Sequence, residues 1–177
     1  MDDIVLAAMK KWPDVPALFH WLSLDGRGCW RLRGEPISNP SLIDFICRNY
    51  SADDKGRWYF QNGPQRVYVS LDAAPWILRA HEGRLTTHTG IAVRALEFVM
   101  DEEGHLYALT DHGLGKIDDR DLIGLSNGMT EAPSGALAMD FAARAWDLRL
   151  VTKESLPKMF GFDADPDAEI RANQPRP

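Results

Sequence analysis

The first residues of the chain carry apolar side chains at the spacing of an α-helix. The apolar positions are Ile4, Val5, Ala8 and Met9. This spacing predicts a short helix over residues 2–11, which Pro13 would end because proline lacks a backbone N–H. From Leu18 onward apolar and polar residues alternate, and residues 25–28 supply turn chemistry. We therefore expect a β-hairpin that returns as far as Arg33.

A motif of turn and strand residues occurs three times along the chain. The shared pattern is Asp-x-x-Gly-x-(Trp/Leu)-x-apolar, and its copies occupy residues 25–32, 53–60 and 101–108. Each copy continues through a second turn to an asparagine or aspartate that can cap a helix, at Asn39, Asp72 and Asp118. Each copy therefore predicts a hairpin closed by an Asp-Gly turn with a short helix laid across it, although turn-plus-strand patterns also recur by chance.

The predicted elements define an α+β fold. We expect antiparallel β-hairpins with short capped helices, built from about three divergent hairpin–helix repeats that share one core. The spacing within the copies varies, which is typical of diverged duplication rather than of a rigid solenoid. The predicted organisation is an amino-terminal α+β subdomain over residues 1–80 with two copies, a carboxyl-terminal α+β subdomain over 81–162 with the third, and a disordered tail over 163–177.

The alanine-rich segment over residues 136–150 carries two patterns. Its alanines favour a helix, whereas Trp146, Leu148 and Leu150 alternate as in a strand. We expect a helix here, and the strand alternative stays open.

Composition and charge restrict the classes of function. The 177 residues are 45% hydrophobic and 26% charged, which is the profile of a folded domain. The formal net charge of −6 opposes binding to a phosphate backbone, so we expect no nucleic-acid partner. The chain opens with acidic residues and has no apolar run long enough for a membrane span, so we expect a cytoplasmic protein without membrane contact. In that compartment Cys29 and Cys47 would be buried, reduced thiols.

Aromatic and polar residues are densest in the predicted hairpin over residues 57–69. Such a mixture can form an apolar floor with convergent polar groups, as small-molecule sites require. The candidate ligand-binding residues are Trp58, Tyr59, Gln61, Asn62, Arg66 and Tyr68 on this hairpin, with His88 and Arg94 beyond it. The alternative interpretation is ordinary strand alternation between core and solvent. The core would then contain Trp58, Phe60, Val67 and Val69, and the exposed face Tyr59, Gln61, Arg66 and Tyr68.

The sequence contains no established catalytic or cofactor-binding motif. It has no GxSxG elbow, no GxxxxGK(S/T) loop and no GxGxxG fingerprint. The five histidines lack the spacing of zinc ligands, so we expect no metal and no cofactor. The enzymatic alternative is an unfamiliar site in which His88 and Arg94 act with the carboxylates of Asp101, Glu102 and Glu103.

Several tryptophan- and proline-containing motifs carry a resemblance to known families. They are Trp12-Pro13, Trp21, Asp25-x-x-Gly28-x-Trp30, the run from Gly56 to Val69, and Ala74-Pro75-Trp76. Over most of residues 1–125 the chain resembles a proteobacterial family of uncharacterised proteins. The run from Trp30 to Ile37 with its Asn-Pro-capped helix, followed by Trp58-Tyr59 and Ala74-Pro75, is distantly similar to a second family of unknown function. That similarity implies an α+β fold of repeated structural motifs and a role in signalling or ligand sensing, and neither resemblance implies a catalytic residue.

These observations favour a cytoplasmic small-ligand-binding or regulatory module of signal transduction. Its partner would be a small molecule or a protein. One alternative is an enzyme with an unfamiliar histidine–carboxylate site. The other is a protein-interaction module that forms a homodimer through an exposed apolar patch.

Overall fold

The structure is a computed structural model that describes residues 1–131, 135–166 and 168. These residues form fifteen β-strands and four short α-helices. Strands predominate and are arranged in curled sheets of six and nine strands. The predicted α+β class is therefore confirmed. No helix in the described part of the chain is long and apolar enough to cross a membrane.

The chain divides into two compact units. Among the described residues, unit 1 contains Met1–Asp25, Cys29–Ala73 and those from Gly161 onward, whereas unit 2 contains Gly26–Gly28 and those within Ala74–Phe160. Unit 1 is thus discontinuous in sequence, because nearly all of unit 2 is inserted before its last segment.

Unit 1 is built on the six-stranded sheet and two helices. In chain order its elements are α1 (Asp3–Lys11), β1 (Leu18–Leu24), β2 (Trp30–Leu32), β3 (Glu35–Pro36), α2 (Pro40–Arg48), β4 (Tyr50–Ala52), β5 (Trp58–Asn62) and β6 (Gln65–Leu71). The strand order is β3-β2-β1-β6-β5-β4. All pairs are antiparallel except β1 with β6, where Leu22 lies opposite Val69 and Leu24 opposite Leu71. This parallel pair is the centre of the sheet.

Local chemistry fixes the start of α2. Asn39 Oδ1 accepts a hydrogen bond from the Leu42 N–H at 3.1 Å, and Pro40 follows it at the start of the helix, where a missing N–H costs nothing. Phe45 of α2 packs edge-on against Phe60 of β5, with 5.4 Å between ring centroids. The helix thereby covers one face of the sheet.

The amino-terminal segment is tied to the same unit at two points. The Asp2 N–H donates to Oδ1 of the buried Asn49 at 2.8 Å, just before α1 begins. After the helix, Gln65 Nε2 donates to the Pro16 carbonyl at 3.0 Å. These bonds hold the segment that contains α1 against β4 and the β5–β6 hairpin. The predicted amino-terminal helix is confirmed.

Unit 2 is built on the nine-stranded sheet. Its elements are β7 (Trp76–His81), β8 (Arg84–Thr87), β9 (Ala92–Val93), β10 (Ala95–Met100), β11 (Leu106–Thr110), β12 (Gly113–Ile117), α3 (Asp119–Ser126), β13 (Met129–Glu131), β14 (Leu137–Phe141), β15 (Arg144–Leu150), a 3₁₀ turn (Lys153–Ser155) and α4 (Leu156–Phe160). The strand order is β13-β14-β15-β10-β11-β12-β7-β8-β9. The parallel pairs are β7 with β12 and β10 with β15.

Six strands of unit 2 have the same order as the six strands of unit 1. The run β9-β8-β7-β12-β11-β10 matches β3-β2-β1-β6-β5-β4, and each run has one central parallel pair. Directly after that pair, the Asp72 N–H donates to the Leu24 carbonyl at 3.1 Å, and the Asp118 N–H donates to the Leu78 carbonyl at 2.8 Å. Positions in the two units can therefore be compared strand by strand.

Two predicted helices are strands in the structure. The segment after Asp72 forms no helix, because Trp76, Ile77 and Leu78 belong to β7 and are 5%, 2% and 0% exposed. A strand buried on both faces has a continuous apolar run, which its sequence does not distinguish from a buried helix. The helix expected over residues 136–150 was also wrong, since this segment forms β14 and β15.

Helices follow the first and third copies of the repeated motif, as α2 and α3, but not the second copy. The architecture of three hairpin–helix repeats is therefore not confirmed. The predicted hairpins, in contrast, are present. The three copies form the turns between β1 and β2, between β4 and β5, and between β10 and β11.

Part of the segment predicted to be a disordered tail is described. Asp163 forms a β-bridge with Arg57, and the Ala164 carbonyl accepts the Leu71 N–H at 2.8 Å. The rest of the predicted tail, apart from residues 165, 166 and 168, lies outside the described residues.

Both cysteines are free thiols. Cys29 is exposed, so the expectation of two buried thiols is wrong for this residue. Cys47 is half-buried and accepts a hydrogen bond from Trp30 Nε1 at 3.4 Å.

Candidate functional site

All three copies of the Asp-x-x-Gly motif form the same turn. In each copy the aspartate N–H donates to the carbonyl of the residue four positions on, and its Oδ1 accepts the N–H of that residue. The glycine has a positive φ in every copy, at 82° for Gly28, 77° for Gly56 and 82° for Gly104. A residue without a side chain adopts this conformation at little cost. The motif is therefore a turn that an aspartate closes.

In the second copy this aspartate is the centre of a charge cluster in unit 1. Asp53 Oδ2 accepts hydrogen bonds from Arg57 Nε at 2.8 Å and from the Tyr68 hydroxyl at 3.0 Å. Arg57 also donates to the Tyr68 hydroxyl at 3.0 Å. Burial alone would raise the pKa of Asp53, but hydrogen bonds from Arg57, Tyr68 and the Lys55 N–H hold it below its usual range. The charged carboxylate thus fixes Tyr68 on β6.

In the third copy, in unit 2, a histidine takes the place of Arg57. Asp101 Oδ2 lies 3.0 Å from His105 Nδ1 and accepts a hydrogen bond from the Tyr107 hydroxyl at 3.0 Å. Burial would raise the pKa of Asp101, but the bonds from His105 and Tyr107 hold it below its usual range. Burial and the adjacent carboxylate raise the pKa of Tyr107, so its hydroxyl stays a donor.

Asp101, Glu103 and His105 hold ligand atoms within 4.8 Å of one another, close enough to share a metal ion. However, the Asp101 oxygens already accept four hydrogen bonds, two from backbone N–H groups and two from side chains. At the position of His105 the second copy has Arg57, and a guanidinium has no lone pair for a metal. The hydrogen bonds of the turn therefore account for this cluster, and we call the aspartate with its bonded side chains the turn clamp. The expectation of no metal stays a prediction.

A cavity of about 460 Å³ lies between the amino-terminal segment and the β5–β6 hairpin of unit 1. We call it the α1 cavity. It is lined by Met9, Trp12, Pro13, Val15, Ala17, Gln61, Pro64, Arg66 and Tyr68. Three of these, Gln61, Arg66 and Tyr68, were predicted from the sequence to bind a ligand. The volume is within the range of small-molecule sites.

Gln61 lies in the wall of the cavity and has no exposed surface. Its Nε2 donates to the Gly63 carbonyl at 2.9 Å, and because a carbonyl only accepts, this contact fixes which amide atom is nitrogen. The Oε1 atom is buried and has no hydrogen-bond partner among the described residues. Leaving a buried acceptor without a donor costs about 1–3 kcal/mol, and native proteins do so rarely.

Arg66 and Tyr68 form the other polar part of the wall. The Arg66 guanidinium lies over the ring of Tyr59, 4.6 Å from its centroid, and both Arg66 and Tyr68 line the cavity. Among the ion pairs of residues 1–131, 135–166 and 168, none involves Arg66, whereas the charge of Asp53 is matched by Arg57 at 2.7 Å. The cavity wall therefore has an excess of positive charge.

The remaining hairpin candidates lie outside the α1 cavity. Trp58 packs against Tyr50 with 4.8 Å between ring centroids, and Tyr59 is buried beneath Arg66. Asn62 is exposed and lines a separate apolar groove of about 220 Å³ in unit 1.

His88 and Arg94 both lie in unit 2. His88 Nδ1 accepts the Ile77 N–H at 3.3 Å, and burial lowers the pKa of this histidine to about 4, so the ring is neutral at pH 7. Arg94 is exposed and lines a cavity of about 370 Å³ together with Asp111, whose Oδ1 accepts the Arg94 N–H at 3.0 Å. The histidine that stands beside the acids at 101–103 is His105 instead.

Simple strand alternation does not describe the β5–β6 hairpin. Tyr59, Gln61 and Tyr68, which alternation would expose, are 6%, 0% and 3% exposed. The reason is that both faces of the hairpin are covered. Phe45 of α2 packs on one face, and the amino-terminal segment lies at the other, where Met9 and Trp12 share a cavity with Gln61 and Tyr68.

Sequence reasoning missed the amino-terminal half of the cavity wall. This half consists of Met9, Trp12, Pro13, Val15 and Ala17. The available signal was Trp12-Pro13, a large aromatic residue placed directly after an amphipathic helix. Its partner surface is brought to it by the pairing of β1 with β6, which are far apart in sequence.

The fold and the cavity define an α+β protein of two units, the first of which has a cavity of small-molecule size. The crystal structure of a DUF1285 family protein from Silicibacter pomeroyi DSS-3 is similar, with 18% identity, a TM-score of 0.55, and coverage of 81% of this chain and 86% of that chain. A DUF1285 family protein from Shewanella baltica OS155 is similar over 60% of this chain and 90% of that chain, with 15% identity and a TM-score of 0.45. No curated protein matches the chain. The likeness to the Silicibacter protein shows a shared fold.

The family model DUF2944, described as a protein of unknown function (DUF2946), matches residues 1–167. Because the match spans nearly the whole sequence, the chain belongs to this family. The predicted resemblance to a family of unknown function is thereby confirmed. The family's description assigns no activity, so a function must be argued from the cavity itself.

Proposed function

We propose that this chain is a small-ligand-binding module whose ligand occupies the α1 cavity. The observation that carries the proposal is Gln61 Oε1, which is buried in the wall without a hydrogen-bond partner among the described residues. Native proteins retain a buried acceptor where a water molecule or a ligand supplies the donor. A donor group on a ligand in the cavity would remove the cost of this acceptor.

The equivalent hairpin of unit 2 supports the proposal. Tyr59 and Tyr107 each lie six residues after a turn aspartate, so Gln61 corresponds to Leu109. Gln61 lies opposite Arg66 between β5 and β6, as Leu109 lies opposite Leu114 between β11 and β12. An apolar pair is the ordinary content of a covered sheet face. The polar pair of unit 1 is a departure that core packing does not explain and that ligand binding does.

We assign this module a regulatory role in the cytoplasm. The residues that line the α1 cavity include no serine, cysteine or histidine that could act as nucleophile or base, which supports binding rather than turnover. A ligand that contacts both α1 and the β5–β6 hairpin would stabilise the amino-terminal segment, and a partner protein can sense such a change. On this proposal the recurring aspartate turn, taken as a diverged duplication, serves in unit 1 to hold Tyr68 in the cavity wall.

The test is a thermal-shift screen of the full chain against small acids, amino acids and nucleotides, together with native mass spectrometry of the purified protein. A ligand present at 100 times its Kd stabilises by about 2.7 kcal/mol, which corresponds to a rise in Tm of about 5–10 °C for a chain of this size. We expect hits to raise the Tm of the wild type.

The matched variants are Gln61→Met and Asn62→Met. Both remove an amide from β5, but Gln61 lines the α1 cavity whereas Asn62 does not. We expect Asn62→Met to keep the ligand-induced shift and Gln61→Met to lose most of it. A hit that stabilises Gln61→Met as strongly as the wild type would place the ligand elsewhere and defeat the proposal.

A further inference from the structure

The charges around the α1 cavity restrict the ligand that it would hold. The Arg66 guanidinium lies in the wall without an ion-pair partner among the described residues, and Arg57 neutralises the nearby Asp53. Arg66 is the one charged residue among the described residues that line the α1 cavity. A wall with this charge attracts an anion rather than a cation.

The geometry of Arg66 favours a planar anion. Its guanidinium is already positioned over the ring of Tyr59, so less rotamer entropy remains to be lost on binding. A guanidinium presents parallel N–H groups that match the two oxygens of a carboxylate. An anion bound here would lie on the wall that also holds Gln61.

Gln61 imposes a second requirement. Since its Oε1 is an acceptor, it requires an N–H or O–H group on the ligand. Because Oε1 has no accessible surface, the ligand reaches it with a small rotation of the amide or of a lining side chain. The rest of the wall, including Met9, Trp12 and Pro13, is apolar and suits a hydrocarbon or aromatic group.

We infer that the ligand is a small carboxylic acid that carries a hydroxyl or amino donor beside its carboxylate and an apolar body, with Arg66 binding the carboxylate and Gln61 accepting from the donor. This inference rests on the proposed function, since it names the ligand class of the same cavity.

The experiment is isothermal titration calorimetry of the full chain with three probes of nearly equal size. The probes are L-3-phenyllactate, 3-phenylpropionate and 3-phenylpropionamide. Phenyllactate and phenylpropionate differ by the hydroxyl donor, and phenylpropionate and phenylpropionamide differ by the negative charge. We expect the affinity to fall in the order given. A charge-assisted hydrogen bond accounts for about a tenfold to hundredfold difference in affinity between carboxylate and amide.

Variants of Arg66 and Gln61 assign these differences in affinity to individual residues. Arg66→Gln should weaken both carboxylates about tenfold to a hundredfold and leave the amide nearly unchanged, whereas Arg66→Lys should retain part of the preference. The matched control is Arg144→Gln, because Arg144 also lies over an aromatic ring, 4.1 Å from the centroid of Trp146, but belongs to unit 2. Gln61→Met should abolish the preference for phenyllactate over phenylpropionate. Circular dichroism of each variant establishes that it is folded.

The outcomes separate this inference from the proposed function. If the amide binds as tightly as the carboxylates and Gln61→Met abolishes binding of all three, the cavity binds a ligand and the carboxylic-acid inference is wrong. If none of the probes binds at its solubility limit, the inference is likewise overturned, while the broader screen still decides the proposed function. Unchanged carboxylate affinity in a folded Arg66→Gln variant also contradicts it.

Discussion

The β5–β6 hairpin of unit 1 and the β11–β12 hairpin of unit 2 follow the same aspartate turn but differ in what they present. Gln61 and Arg66 face each other in the first, where Leu109 and Leu114 face each other in the second. The turn chemistry is the same in both units, so it accounts for the hairpin and not for the polar pair. The difference teaches that the turn is structural and that the polar pair, to which we assign the proposed binding role, lies in the strands after it.

The two turns also differ in the side chains that the aspartate binds. Arg57 binds both Asp53 and the Tyr68 hydroxyl, and Tyr68 reaches the cavity wall. Asp101 instead holds His105 and Tyr107, and Tyr107 is fully buried. In unit 1 the clamp therefore supports the cavity, whereas in unit 2 it closes a packed core.

The largest effect is expected from removing the turn carboxylates. Asp101→Ala leaves the buried Tyr107 hydroxyl without its acceptor, so we expect a loss of about 3–5 kcal/mol in the free energy of unfolding. Asp53→Ala should lose less, about 2–3 kcal/mol, because the Tyr68 hydroxyl keeps its bond to Arg57. Urea unfolding of both variants measures the two losses.

The double variant Asp101→Ala/Tyr107→Phe tests the reason given for that order. Removing the orphaned hydroxyl together with its acceptor should recover about 1–2 kcal/mol of the loss. A double variant as unstable as Asp101→Ala would show that Tyr107 is not the cause. Equal losses of unfolding free energy for Asp53→Ala and Asp101→Ala would contradict the proposed difference in how the two turns stabilise their units.

A smaller effect is expected from giving each hairpin the residue of the other. Gln61→Leu removes a buried acceptor that has no partner, and its lost bond to Gly63 is replaced by water at a half-buried carbonyl. We expect the ligand-free protein to gain about 0.5–1 kcal/mol. The reverse change in unit 2, Leu109→Gln, should lower the free energy of unfolding by about 1–2 kcal/mol, since it places an amide at a half-buried position where leucine packs.

Differential scanning calorimetry of the two variants supplies the comparison. A gain for Gln61→Leu that is accompanied by loss of ligand binding is the expected trade of stability for function. If Gln61→Leu were instead as destabilising as Leu109→Gln, then Gln61 would be an ordinary structural residue and the polar pair would need another explanation.

The residue types of the hairpin singled out three residues that line the α1 cavity. Gln61, Arg66 and Tyr68 stood out because amide, guanidinium and phenol side chains are unusual together in a strand pair. Their burial was not predictable by local alternation, because α2 and the amino-terminal segment lie on opposite faces of the hairpin through contacts between separate segments. The amino-terminal wall depended on the same long-range pairing.

The errors in the fold have local causes. The segment after Asp72 has an aspartate that can cap a helix, yet Trp76, Ile77 and Leu78 form a central strand, which burial on both faces decides. In residues 136–150 the strand alternation was present, but the turn between β14 and β15 is formed by Ala142 and Ala143 with φ of 55° and 58°. Alanine has no preference for that conformation, so the sequence contained no turn signal.

The smallest and last effect is the response of the two turns to acid. Hydrogen bonds hold the pKa values of Asp53 and Asp101 below the usual range, in spite of burial, which alone would raise them. An aspartate with a lowered pKa in the folded state contributes stability above its unfolded value of about 3.9, and this contribution is lost as the pH falls through the folded pKa. Replacing either residue by asparagine removes the titrating group. We therefore expect the stability gap between the wild type and Asp53→Asn or Asp101→Asn to narrow as the pH falls below about 4.

Urea unfolding of the wild type and of both variants between pH 2 and 6 measures this gap. If both gaps narrow together, arginine and histidine serve the two turns as equivalent partners for a charged carboxylate. A gap that narrows for Asp53→Asn alone would mean that the turn of unit 2 is held by neutral hydrogen bonds. In that case the charge of the aspartate would contribute to stability only in unit 1. There the Arg57 guanidinium, which remains ionised throughout this range, binds both the Asp53 carboxylate and the Tyr68 hydroxyl.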